Sequence, residues 1–384
     1  MKLLVISSAP VVEIDGKSHL YAPYEKEMQL WAKHADEIQF CCPVWREDKK
    51  LLIAPISFKV DGIVELQEFD ITSFFNKLKA IPFAFVALVK TYRAMKQADH
   101  IHLRCPGNIA LLACLVQVLF PNKKKTAKYA GNWDPNSQQP WSYRLQKWIL
   151  SNTFLTRNMQ VLVYGEWEGS SKNIKPFFTA TYSESEIQNS EFRIQNELSL
   201  RAKSRTNETL IHFLFVGTLS PGKQPLYAIQ LVEALYRQGK NVLLDLYGEG
   251  VLRTDLERYI AENKLETLIV LKGNQTKETL LKAYQSHHFL ILPSKSEGWP
   301  KVVAEAMFWG CVPIASAVSC VAYMMGNGSR GVVLQENLDQ DVRQITTIIN
   351  NQEQYKKMAS DGQSWSRQFT TDKFEIEIKK LLRG

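Results

Sequence analysis

Short apolar runs recur along the chain, and between them lie longer segments in which apolar positions return every three or four residues. Runs of the first kind read as strands buried on both faces, and segments of the second kind as amphipathic helices. In the first half KLLVIS (2–7), EIQFCCP (37–43) and HIHLRCP (100–106) are the strands, and Tyr24–His34 and Ile109–Phe120 the helices. Around residues 180–208 the pattern dissolves into polar and charged sequence, with at most a short helix over 193–203. A cleaner alternation follows. IHFLFV (211–216), VLLDLYG (242–248), LIVLKG (268–273), FLILP (289–293) and CVPIAS (311–316) are strands. Between them fall helices at Pro225–Gln238, Leu252–Asn263, Lys277–His287 and about Lys301–Trp309. Strand–helix alternation in both halves predicts an α/β protein: two Rossmann-like, doubly wound domains facing across a cleft, over residues 1–182 and 205–365. The segment 366–384, with a helix near Thr371–Leu382, is expected to pack back on the first domain.

Composition narrows the class. The chain has 384 residues, long enough for two domains, and at 45% apolar and 22% charged it is neither disordered nor a polytopic membrane protein. The net charge of +8 is uneven: +7 falls in residues 1–180 and +1 in the rest. A basic first half suits an anionic partner, yet no helix–turn–helix, RNP or zinc pattern supports a nucleic acid. Cys41, Cys42, Cys105, Cys114, Cys311 and Cys320 form no CxxC pair and read as reduced, buried thiols. MKLLVIS reads as a first strand rather than a signal peptide, and the longest uncharged window, Cys105–Pro121, is too short and too polar to span a bilayer. A cytoplasmic protein is expected.

The stretch 289–316 carries the most chemistry. A buried strand ends at Pro293, small polar residues follow, and Pro300 sits where a helix begins. A helix starting straight after a strand presents N–H groups and a positive dipole end to an anion. Glu297 precedes that helix and Glu305 lies within it, so both can face one ligand, and carboxylates accept hydrogen bonds from sugar hydroxyls. Glu297-Gly-Trp-Pro-Lys-Val-Val-Ala-Glu305-Ala-Met, after L-P-S and before Gly310, Pro313 and Ser316, resembles the E-x7-E signature of the retaining family-four glycosyltransferases, which have the GT-B fold. The resemblance implies that Glu297 contacts donor-sugar hydroxyls beside the reacting carbon and that Glu305 contacts the ribose. It also implies that Gly298 and the backbone amides of Trp299, Lys301 and Val302 face phosphate or sugar.

Gly217-Thr-Leu-Ser-Pro-Gly222-Lys223 follows a strand and fits most of a Walker A loop. Gln224 lacks the hydroxyl that would hold Mg²⁺, and Pro221 removes an N–H from the cradle, so an ATPase fits poorly. The resembled family has G-R-L-x-x-x-K here, its Arg and Lys gripping the donor diphosphate. Lys223 matches, while Thr218 replaces the Arg, leaving a point charge in place of a fork. Lys295 and Lys301 are the nearest cations that could compensate. Gly248-Glu-Gly250 and Lys272-Gly273-Asn274 stand where the family has its next strand-end glycines.

The first half is less legible. In His100-Ile-His102-Leu-Arg104 alternation puts both histidines and Arg104 on one face, either as packed core groups or as site residues. KYAGNWDP has Gly131 and Asn132 where the family often has a histidine. Arg104 and Asp134 are therefore the acceptor-side or catalytic candidates beside Lys223 and Glu297. Lys123–Lys125 with Lys128 read as a basic patch, and Phe74–Phe85 mixes aromatics with lysines, as interfacial segments do.

The resemblance implies a metal-independent, retaining glycosyltransferase that needs no cofactor. It would use a nucleotide-sugar donor and a glycan or lipid-linked acceptor in cell-surface polysaccharide or glycolipid synthesis; the lysine patch and the aromatic segment add the expectation of peripheral binding at an anionic membrane surface. A non-catalytic sugar-nucleotide-binding protein and a sugar-nucleotide epimerase of the same fold are the alternatives, motivated by Thr218 and the missing histidine.

Overall fold

The computed structural model describes residues 1–47, 49, 51–69, 74–187 and 210–383, with side chains from residue 81 onward in the helix Phe74–Gln97. The helix expected within 193–203 and the side chains of Phe74, Phe75, Lys77 and Lys79 lie outside the described residues. The chain divides into two compact units, Met1–Phe178 with Phe374–Gly384, and Thr179–Lys373. Residues 366–373 thus stay with the second unit, and the helix Thr371–Arg383 joins the first from Phe374 onward.

The first unit is built on a parallel sheet of β1 (Lys2–Ser7), β4 (Glu37–Cys42), β7 (Gly62–Glu65), β8 (His100–Cys105), β9 (Lys124–Tyr129), β10 (Met159–Tyr164) and β11 (Ile174–Phe177). Their order is β11-β10-β9-β8-β1-β4-β7. The chain winds outward from β1 in both directions, so the order reverses between β1 and β8. A second, small sheet grows from the loop after β1. There Asp15 and Gly16 take φ of 51° and 70° and turn β2 (Val11–Ile14) back on β3 (Lys17–Tyr21). Asp-Gly between alternating residues is a strong hairpin signal, because both central positions need positive φ. The strands β5 (Val44–Trp45) and β6 (Ile53–Pro55) flank it.

The second unit repeats the plan. Its parallel strands are β12 (Ile211–Val216), β13 (Val242–Tyr247), β14 (Ile269–Gly273), β15 (Phe289–Leu292), β16 (Val312–Ser316) and β17 (Val332–Leu334), ordered β14-β13-β12-β15-β16-β17. The reversal here falls between β12 and β15. Its core interleaves strand residues Phe213, Phe215, Leu244, Leu246 and Ile291 with Ile229, Val232 and Leu235 of the helix Pro225–Arg237. Open sheets of this kind leave a crevice outside the carboxyl ends of the strands at the reversal point.

One sequence expectation is overturned. The lysines at 123–125 and 128 do not form one surface patch: Lys125 and Lys128 are buried on β9, while Lys124 at its start is exposed and Lys123 half-buried. Lys125 is 2% exposed and Lys128 1%. Lys125 Nζ donates to the carbonyls of Gln117 (3.2 Å) and Phe120 (3.0 Å), capping the end of the preceding helical stretch. Lys123 Nζ serves the carbonyls of Lys96 and Ala98 likewise, and Lys124 Nζ that of Arg383. Their charge complements the carbonyl ends of helices rather than an external anion. The six cysteines are buried free thiols, as expected.

Candidate functional site

In the second unit, the loops after β12, β13 and β14 are laced together by backbone. Gly217 N–H donates to Tyr247 O (3.0 Å), Leu219 N–H to Glu249 O (2.9 Å) and Gly248 N–H to Gly273 O (2.9 Å). These contacts require glycine. A Cβ on Gly248, whose φ is +141°, would stand 1.9 Å from the Gly217 carbonyl oxygen, and one on Gly250 2.4 Å from Leu219 O. Strand-end glycines thus let three loops converge with their backbone bare, the condition for a phosphate or sugar to approach closely. Thr218 and Asn274 are exposed beside them. Arg253, which the sequence reading passed over, reaches Glu249 and Glu257 from the next helix and lies against Gly273.

The loops after β12 and β15 border the reversal point, and they bring the two strongest sequence candidates together. Lys223 Nζ is hydrogen-bonded to Glu297 Oε1, and Lys295 N–H donates to Gly222 O (2.9 Å), tying the loops in place. Glu297 is 9% exposed and Lys223 29%, so the ammonium is the more accessible partner. Gly298 O accepts from Ser319 Oγ (3.0 Å) and Cys320 Sγ (3.2 Å), which fixes the turn entering the helix Lys301–Phe308. The Trp299 side chain turns away into a cluster with Trp365 (rings 6.2 Å apart) and Phe369 (5.7 Å), leaving its backbone as its contribution to the site. Glu305 projects from the same helix. Its Oε1 accepts from Thr181 Oγ1 (2.8 Å) and its Oε2 from Tyr284 Oη (3.0 Å). The sequence singled out neither hydroxyl.

Among the described residues no group of three or more His, Cys, Asp or Glu side chains is placed to hold a metal. Groups in the second unit that can meet an anion include the Lys223 ammonium, the glycine loops and the start of the helix Lys301–Phe308. Those that can meet hydroxyls include two carboxylates.

The first unit has candidates of its own. Arg104, at the end of β8, donates to Glu27 Oε1 (2.6 Å) and lies 4.2 Å from the Tyr24 ring centre. Lys128 Nζ donates to Glu27 Oε2 (2.9 Å). Burial alone would raise the Glu27 pKa, but the two cations overcome it and hold the carboxyl well below its usual range. His100 Nε2 and His102 Nδ1 share the hydroxyl of Thr126 at 2.9 and 2.8 Å, and His102 packs on Trp31 with ring centres 4.2 Å apart. One hydroxyl can donate to one ring and accept from the other, so both rings sit neutral in the core. Burial, helped by Lys124, brings the His100 pKa down to about 4. Asp134 builds a turn: Oδ1 accepts from Asn136 N–H (2.8 Å), and its carbonyl from Lys147 Nζ (2.9 Å).

Residues 196–365 match the family model described as glycosyl transferases group 1. An uncharacterized glycosyltransferase of Methanocaldococcus jannaschii is 27% identical over 169 residues, covering 44% of this chain and 46% of that protein. A GDP-mannose:cellobiosyl-diphosphopolyprenol alpha-mannosyltransferase of Xanthomonas oryzae pv. oryzae is 25% identical over 126 residues, 32% of this chain and 33% of that protein. The chain thus matches half or less of the length of these relatives. Among solved structures, Anabaena HepE in complex with UDP superposes with a TM-score of 0.65 at 16% identity, over 100% of this chain and 99% of that one. That likeness is one of fold: the two-unit α/β architecture is that of the GT-B glycosyltransferases.

Proposed function

We propose that this chain, whose residues 196–365 match the group 1 glycosyl transferases, moves a sugar from a nucleotide-sugar donor to an acceptor hydroxyl with retention at the anomeric carbon. One observation carries the reading: the Lys223–Glu297 pair spans the reversal point between β12 and β15, beside glycine loops that a diphosphate can approach. Lys223 has three N–H donors, so it can keep Glu297 and still reach a phosphate oxygen. The negative charge that builds on the departing diphosphate is met by that ammonium and by the amides at the start of Lys301–Phe308. Glu297, held by Lys223, then faces the hydroxyls of the sugar, and Glu305 the ribose. The reading assigns no metal and no cofactor. On the acceptor side it keeps Asp134, whereas Arg104 acts through Glu27, which already takes its charge.

The bound UDP of HepE and the lipid-linked acceptor in the Xanthomonas enzyme's name motivate the same classes here: a nucleotide sugar, and a glycan or lipid-linked acceptor in cell-surface synthesis. No helix among the described residues is long and apolar enough to cross a membrane. Ile81, Phe83, Phe85 and Val86 are nevertheless exposed on one stretch of helix, and with them the proposal places the protein peripherally at the cytoplasmic face of a membrane. The deciding experiment is turnover of radiolabelled nucleotide sugars by wild type, Lys223→Ala and Glu297→Gln. Transfer or slow donor hydrolysis, lowered tenfold or more in both variants, supports the reading. Donor binding without either reaction favours a non-catalytic binding protein, and a changed sugar configuration without acceptor favours an epimerase.

A further inference from the structure

Glu305 lies in the signature helix, but the two groups that hold its carboxylate come from outside it. Tyr284, in the helix Lys277–Ser286, is 1% exposed, and its hydroxyl donates to Oε2 at 3.0 Å. Burial and the nearby Glu305 both raise the Tyr284 pKa well above its ordinary value, so the hydroxyl stays a donor at any working pH. Thr181, far off in sequence, donates to Oε1 at 2.8 Å. Its segment is pinned: Thr371 N–H donates to Tyr182 O (2.9 Å), and the Tyr182 ring packs 4.9 Å from Phe308 and 5.1 Å from Trp309. A cavity of about 10 Å³, room for a water-sized group, opens between Thr181, Trp299, Lys301 and Glu305.

A carboxylate has about four acceptor positions, two on each oxygen. Here one position on each oxygen is filled from within the protein, and one on each is left. Two remaining acceptors on adjacent oxygens match a pair of neighbouring hydroxyls better than a single one. We infer that Tyr284 and Thr181 are positioning residues that orient Glu305 to bind the vicinal diol of a ribonucleotide, making the site selective for ribose over deoxyribose. The inference rests on the reading above, in which Glu305 meets the donor's ribose. Without either hydroxyl the carboxylate would rotate and spend part of its acceptor capacity elsewhere.

The test is calorimetric titration of the full chain with UDP, GDP and ADP, repeated with the 2′,3′-dideoxy form of whichever binds. Thr181→Val and Tyr284→Phe are each expected to weaken ribonucleotide binding about fivefold or more, in line with a hydrogen bond to a charged group. The dideoxy nucleotide should bind both variants as it binds wild type. Equal losses for both nucleotides, or no loss for either, would overturn the inference while leaving the proposed function standing. Failure of wild type to bind any of the three diphosphates would overturn both. Should Tyr284→Phe fail to fold, Thr181→Val, at a half-buried site, decides the matter alone.

Discussion

The two sheets reverse their strand order in the same manner, beside β1 in one unit and β12 in the other, and furnish the two reversal points in opposite ways. Beside β12 the walls are glycine backbone, and the charged groups Lys223, Glu297 and Glu305 remain partly accessible. Beside β1 the cations are drawn inward: Arg104 and Lys128 both bond Glu27, with Tyr24 over Arg104 and Tyr164 and Phe374 over Lys128. A shared topology therefore fixes where a site can form, and the side-chain bulk at the strand ends decides whether one does. Charge is abundant at both places. In the second unit the paired cation, Lys223, is the more exposed, at 29% against 15% for Arg104 and 1% for Lys128.

The strongest blow to this contrast would be struck at Glu27. Replacing it with Ala leaves the buried Lys128 ammonium and the Arg104 guanidinium facing each other without a counter-charge. Breaking such a buried arrangement from one side costs about 3–5 kcal/mol. Hydrogen exchange in β8 and β9 should accelerate by the corresponding factor, while nucleotide binding by the second unit persists at a temperature where the variant is folded. A variant as stable as wild type would mean that Glu27 is not an internal strut and that Arg104 is free for a ligand.

A smaller effect of the opposite kind is expected at Gly248. Alanine there meets both a forbidden φ and a carbonyl oxygen at 1.9 Å, so the loops after β12 and β13 must part. Strain of this type costs about 3 kcal/mol. Gly248→Ala should lower the melting temperature of the second unit and abolish binding of UDP or whichever diphosphate the wild type takes, measured by calorimetry. Intact binding would show that the bare loops are a folding device and not a ligand platform.

The units should also differ in their response to acid. The folded His100 takes up its proton only near pH 4, against 6.5 for an ordinary histidine. Between those values the unfolded chain binds more protons, so stability falls as the pH is lowered through that window and is fully present above it. A shift of that size is worth about 3 kcal/mol, and His102, fully buried on the same hydroxyl, adds to it in the same direction. Exchange rates in β1 and β8 followed from pH 7 to 4.5 should rise more steeply than those in β12 and β15. His100→Gln should flatten the slope, and an unchanged slope would remove His100 as its source.

The same contrast governs what could be read from the sequence. The second unit's strands and helices were legible, and Lys223 and Glu297 could each be singled out, because the patterns around them are short and local: glycines, a proline and two glutamates in fixed register; that the two side chains pair, 74 residues apart, was not. The first unit's strand ends are held by partners distant in sequence, Arg104 and Lys128 on Glu27, which no local pattern announces. The run of lysines at 123–125 looked like a surface patch because charge on a strand gives no sign of which carbonyls it will cap. Thr181 and Tyr284 were invisible for the same reason: each reaches Glu305 across the fold. The Asp15-Gly16 hairpin was readable in principle, since the alternation on both sides of the turn was present.

The smallest expected effect concerns Thr218, where the resembled family has Arg. Thr218 is exposed at the rim of the glycine loops, so an arginine can be installed there without displacing buried groups. A guanidinium at that position would add a second, forked contact to a diphosphate already met by Lys223. In a solvent-exposed setting such a contact is worth about 1 kcal/mol, roughly a fivefold change in binding. Because the diphosphate is charged in both bound donor and transition state, most of the gain should appear as a lower donor KM with kcat little changed. The gain should also shrink as salt is raised. If Thr218→Arg leaves KM untouched, Lys295 or Lys301 already supplies that charge. Lys301→Ala would then weaken donor binding in the wild type more than in the Thr218→Arg variant, as expected if a second lysine already stands where the resembled family has its Arg.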